Sequence, residues 1–128
     1  MRKAFIYILF LTTLFFTTDS LCAKDKYVVT IFPFSINSAE NIDYMKNGIE
    51  EMLTSRIAAS DKMIVTKADL ITQQMKKSKI KKLTSDNVLM IGKKLNSDYI
   101  VWGSITKIGN SISLDGKLIN MEKGKPDI

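Results

Sequence analysis

Three side chains with chemical potential lie close together near the C-terminus. In "DYIVWGSITKIGNSISLDGKLI" (98–119), Ser104, Asp115 and Lys117 flank a Gly109-Asn110 pair, beside the single Trp of the chain, Trp102. A Ser–Lys pair acts as nucleophile and base only when the Lys is desolvated and its pKa falls. Gly-Asn between alternating runs, however, marks a two-residue type II′ hairpin turn, with Gly at the first central position. That register sets Ser104 opposite Asp115, Trp102 opposite Lys117 and Ile100 opposite Ile119, on a face that is mostly polar. An open polar face offers no desolvation, so the expectation is cross-strand pairing and no catalytic residue. The chain has no His, and Cys22 is its one Cys. Ser-His-Asp triads and the usual zinc ligand sets are therefore excluded. No metal or cofactor site is expected. The methionines at 45, 52, 63, 75, 90 and 121 read as core filler.

Two binding candidates remain. The first is Ile100, Trp102 and Ile119 beside Lys117, an apolar patch on the open face of the hairpin, with Lys117 placed to lie over the indole. The second is "KKSKIKK", in which Lys76, Lys77, Lys79, Lys81 and Lys82 supply most of the net charge of +6. A lysine run of this kind suits an anionic surface of lipid or lipopolysaccharide, against the plainer alternative of a solvated loop. Nucleic acid is not expected as a partner, because no stacking aromatic lies between Tyr44 and Tyr99. The loop 35–41 has no Gly-rich phosphate cradle.

The elements that must position these residues follow from pattern. Residues 26–34, "KYVVTIFPF", are apolar on both alternating faces, as in a central strand, and Pro33 should end it. Ser38 or Asn41 is available to cap the helix that follows. Over 42–60, Ile42, Met45, Ile49, Met52, Leu53 and Ile57 recur at helical spacing, and Gly48 marks a site of close approach. A short strand over 61–67 and a helix over 68–75 precede the lysine run. Thr84 or Ser85 caps a further helix, carrying Val88, Ile91 and Leu95 on one face and ending at Asn96. Right-handed crossovers then give a two-layer α/β sandwich. Its mixed four-stranded sheet has order 2-1-3-4, the last strand is antiparallel, and the helices lie on one face.

Residues 1–23 read as a secretory signal. Arg2 and Lys3 precede an apolar run from Ala4 to Phe16, too short for a membrane span, and Leu21-Cys22-Ala23 offers a cleavage site. A lipoprotein signal ending at Cys22 is the rival, weakened by Asp19 and Ser20 before it. The domain is expected over 24–122, with 123–128 as a polar tail or the start of a linker.

Four stretches carry a resemblance: "VVTIFPF", "YMKNGIEEMLTSRI", "IGKKLNSDYIVWGSI" and "GNSISLDGKLIN". Together they resemble the N-terminal α/β domain of the TolB group, related to the fold in CsgG. Such a domain is found before FG-GAP or VCBS repeats in exported bacterial proteins. The resemblance covers about Lys26 to Met121 and implies a non-catalytic domain, periplasmic or associated with the outer membrane. Its partner would be an envelope protein or a C-terminal repeat domain missing from this chain.

Overall fold

A computed structural model describes residues 24–123 and 125–126; the signal expected over 1–23 lies outside the described residues. The elements are β1 (Tyr27–Ile31), β2 (Ser35–Asn37), α1 (Asp43–Ala58), β3 (Met63–Val65), α2 (Ala68–Lys77), α3 (Ser85–Lys94), β4 (Tyr99–Ile108), β5 (Ser111–Asn120) and β6 (Lys125–Pro126). The expected four-stranded sheet is corrected to a six-stranded one. Its path runs β3-β1-β4-β5-β6, and β2 pairs separately with β4. β1 lies parallel to β3 and β4, and β2 is also parallel to β4. β5 returns antiparallel along the whole of β4, and β6 pairs antiparallel with Ile119 and Asn120.

β2 continues the line of β1 after a break at Pro33. Phe32 N–H still donates to the Val101 carbonyl at 2.8 Å. Pro33 has no N–H to give. The next amide, Phe34 N–H, is taken by the Glu50 carboxylate of α1 at 3.1 Å. The strand then resumes with Ile36 opposite Ile105.

The helices lie on both faces, which corrects the two-layer arrangement with helices on one face. α1 packs Met45, Ile49, Leu53 and Ile57 onto a core of Ile31, Phe34, Ile42 and Ile105. α2 and α3 pack on the other side, over Phe32, Ile71, Val88, Ile91, Ile100 and Ile119. The handedness of the crossovers requires this. From β1 the chain travels one way to β3, then back past β1 to β4. Two right-handed crossovers in opposite directions must place their helices on opposite faces.

Local signals set the ends of these helices. The Thr84 hydroxyl accepts from Asn87 N–H at 3.4 Å at the start of α3. Asn96 closes it with φ 51, in the left-handed region that Asn tolerates. At α1, Asn41 Oδ1 accepts from Asp43 N–H at 3.0 Å, and Ile42 occupies the cap position without a side-chain bond. Inside the sheet, the fully buried Thr30 hydroxyl bonds Thr66 Oγ1 at 2.7 Å and Ser97 Oγ at 2.6 Å. This chain of hydroxyls ties β1 to the end of β3 and the start of β4, and satisfies each polar atom it buries.

The close approach expected at Gly48 is found elsewhere. A Cβ on Gly48 would meet nothing within 4 Å. A Cβ on Gly103 would lie 2.2 Å from the Asp115 carbonyl oxygen and 2.6 Å from the Phe34 ring. On the opposite face, a Cβ on Gly92 of α3 would lie 2.3 Å from Ile100 Cδ1. Gly92 thus lets α3 settle onto β4, while Phe34 fills the space over Gly103. Gly48→Ala is expected to stabilise by about 0.5–1 kcal/mol through helix propensity, raising Tm by roughly 3–6 °C. Gly103→Ala is expected to destabilise by about 1–3 kcal/mol or more, because backbone must move to admit the methyl. Thermal unfolding of the two variants beside the parent checks both signs.

Candidate functional site

The hairpin forms as the turn chemistry dictates. Gly109 has φ 56 and Asn110 is not among the positive-φ residues, as a type II′ turn requires. Ser104 pairs with Asp115, Trp102 with Lys117 and Ile100 with Ile119. Asp115 and Lys117 are exposed, so nothing desolvates the amine. Among the described residues no group of three or more His, Cys, Asp or Glu side chains is arranged to hold a metal ion.

The four patch residues separate by depth. Ile100 is 0% exposed and Ile119 2%, both inside the core beneath α2 and α3. They are corrected from docking candidates to core residues, because the face read as open is covered by helices at this end. Trp102 is half-buried and packs against the same core. Lys117 Nζ lies 5.1 Å from the centre of its ring, a cation–π contact worth about 0.5–1 kcal/mol at an exposed site. Trp102 and Lys117 therefore form the rim where the helical cover stops.

Beyond that rim the hairpin stands clear. A ten-residue helix such as α3 is about 15 Å long, whereas ten-residue strands such as β4 and β5 run for about 33 Å. Every residue from Ser111 to Lys117 is exposed. Ile108 is 76% exposed, Ile112 50% and Leu114 52%. On the α1 side, Phe34, Met52, Leu53, Val101, Leu114 and Leu118 line an apolar groove of about 290 Å³ between helix and hairpin. Leu114 pairs with the buried Ile105 on the α1 side of the sheet, with Ile112 on the same face, yet both remain half exposed. The sequence pattern carries no sign of the groove, because α1 packs mainly over β3 and β1 and leaves a gap toward β5.

The lysine run forms a corner. Lys76 and Lys77 end α2, Lys79 takes φ 54, and Lys81 and Lys82 lie in the following loop, all exposed. Ile80 and Leu83 anchor that loop to the core between them. Lys94 Nζ donates to Ser78 Oγ at 3.0 Å, which brings the end of α3, with Lys93, to the same corner. The sequence carried no sign of this convergence, since Lys93 and Lys94 belong to another helix. Their placement also suits the negative ends of both helix dipoles.

A polar cleft of about 520 Å³ opens at the other end of the strands, lined by Lys24, Tyr27, Ser97, Asp98, Tyr99 and Asn120 among others. Tyr27 and Tyr99 meet edge to face at 5.7 Å. The Asp98 carboxylate accepts from Val28 N–H at 2.6 Å and pairs with Lys24. Burial pushes its pKa up, but the hydrogen bonds from Lys24 and Val28 and the Lys24 charge outweigh this and hold it below the ordinary value. The folded carboxyl thus titrates below the unfolded one. Its stabilisation is present above about pH 4 and is lost as pH falls through the folded value. Asp98→Asn is expected to lower stability by about 1 kcal/mol at pH 7 and to flatten the acid limb of a stability–pH profile. Urea unfolding at a series of pH values measures both.

The fold is a mixed α/β domain, a largely parallel sheet with helices on both faces and a long antiparallel hairpin at one side. No family model matches the chain, and no curated protein matches it. Solved structures do. The C-terminal domain of LpoB from Salmonella enterica superposes with TM-score 0.62 at 12% identity, covering 82% of this chain and 79% of that one. Lipoprotein GNA1162 from Neisseria meningitidis gives TM-score 0.58 at 12% identity, covering 78% and 73%. TolB from Acinetobacter baumannii gives 0.51 at 13%, covering 79% of this chain and 21% of TolB.

Proposed function

We propose that this chain is an exported, non-catalytic domain of the bacterial cell envelope, periplasmic or associated with the outer membrane, that works by binding another protein. The observation that carries the reading is the outer half of the β4–β5 hairpin. It leaves Ile108, Ile112 and Leu114 at least half exposed while contributing little to either core. Exposed apolar residues gathered on one projecting arm mark a contact surface. Support for the compartment comes from the signal-like residues 1–23 and from the fold shared with a lipoprotein and with TolB. Trp102 and Lys117 are the residues proposed for the edge of the contact. A C-terminal repeat domain is one candidate partner. A photo-crosslinking residue in place of Lys117, in cells, is expected to yield a discrete protein adduct that Trp102→Ala weakens several-fold without loss of fold. No adduct, or one that Trp102→Ala leaves unchanged, sinks the reading.

A second reading rests on the lysine corner. The seven exposed lysines 76, 77, 79, 81, 82, 93 and 94 have no carboxylate within ion-pair distance among the described residues. Such a corner suits an anionic envelope surface, with each lysine near the surface worth about 1 kcal/mol. Sedimentation with anionic and neutral vesicles tests it. Binding is expected to the anionic vesicles alone and to fall steeply with salt. Equal binding to both, or binding that survives high salt, rules it out.

A further inference from the structure

Among the described residues, the outer edge of β5 is unpaired over most of its length. β6 covers only Ile119 and Asn120 among the described residues. Ile108 and Ser111 pair across the two-residue turn, and at the far end of the ladder Met121 N–H donates to the Asp98 carbonyl at 2.9 Å, so odd-numbered residues turn toward β4. Hydrogen-bonding direction alternates along an antiparallel strand. Ile112, Leu114 and Gly116 therefore turn their N–H and C=O groups outward, away from β4. An exposed row of such groups is a template for another strand.

We propose that this edge pairs with the same edge of a second copy, antiparallel, about a two-fold axis at Leu114. This goes beyond binding a different protein and stands independently of it. A two-fold pairing is self-complementary, so its centre fixes every contact. Centred on Leu114, Leu114 faces Leu114 of the second copy in a hydrogen-bonded pair, and Ile112 faces Gly116. A Cβ on Gly116 would meet nothing within 4 Å, so the half-exposed Ile112 of the second copy has open space to fill. On the other face, Asp115 sits opposite Ser113, and Lys117 opposite Ser111. The two Asp115 carboxylates lie on the diagonal, each with its own Lys117 two residues along the strand.

Other centres serve worse. Centring on Asp115 sets the two carboxylates directly opposite, in the close pair of the ladder, which is repulsive. Centring on Gly116 runs Ile112 against Asn120, where the edge is already taken by β6. Centring on Ser113 leaves Gly116 unpaired and its space unfilled. Only the Leu114 centre uses the outward groups of Ile112, Leu114 and Gly116 together without opposing like charges.

Sedimentation equilibrium of the purified chain over a concentration series tests the pairing, with circular dichroism as the check on fold. A monomer–dimer equilibrium is expected. Leu114→Lys, which sets two like charges face to face, should weaken it by at least about tenfold. Leu114 is half exposed, so the variant should keep its fold. The register is read by disulfide formation in a Cys22→Ala background. Ser113→Cys with Asp115→Cys falls on a non-hydrogen-bonded pair with Cα atoms about 4.5 Å apart, within disulfide range. The double variant should give a reducible dimer, and Asp115→Cys alone should not. A chain that stays monomeric at its highest soluble concentration overturns the proposal, as does a dimer that Leu114→Lys leaves unchanged. Cross-linking by Asp115→Cys alone overturns the register.

Discussion

Everything in this fold turns on Phe32-Pro33-Phe34. Phe32 is 0% exposed and belongs to the core under α2 and α3; Phe34 is 4% exposed and belongs to the core under α1. The two rings sit on opposite faces of one sheet, so this short stretch anchors both cores, as β4 does through Ile100 and Ile105. Pro33 between them removes an amide from the ladder and interrupts the strand. The interruption is tolerated because Glu50, a charged residue on α1, reaches in to accept the Phe34 amide. A buried Phe of this kind is worth about 3–5 kcal/mol against Ala, a large part of the stability of any small domain.

What could be read from the sequence was what local chemistry decides. Gly109-Asn110 fixed the register of the whole β4–β5 ladder, because a two-residue turn allows only one alignment. The α1 stripe, the Thr84 cap and the left-handed Asn96 were equally local. The misreadings were matters of depth. β2 reads as loop in the sequence because it is three residues long and follows a proline; its one trace is the alternation Ser35-Ile36-Asn37. The role of Glu50 is invisible in the sequence, since nothing in a helix pattern reveals a strand amide that needs an acceptor.

The most consequential misreading concerned the two faces of the sheet. Ser111, Ser113, Asp115 and Lys117 are polar, and their pattern reads as a face left open at this edge of the sheet. The same face holds Ile100 and Ile119, both buried. Each observation is right for its own half of the hairpin. The strands are about twice as long as the helix that lies over them, so one face is core at one end and solvent at the other. The crossover rule that orders the strands already demanded helices on both faces, because the chain reverses its direction past β1.

That mismatch in length explains where function can reside. Residues near Tyr99 and Ile119 are constrained by packing from both sides, and Gly92 and Gly103 record how closely their neighbours press. The side chains from Ser111 to Lys117 are exposed, yet Ile112 and Leu114 are apolar where a merely solvated strand would carry Lys, Thr or Glu. Long exposed edges of this kind are ordinarily blunted by charge or proline; here the charges sit on one face, at Asp115 and Lys117, and the apolar residues on the other. The core does not require that arrangement. A contact beyond the core would account for it, and the edge of β5 between those two faces is where such a contact would find its hydrogen bonds.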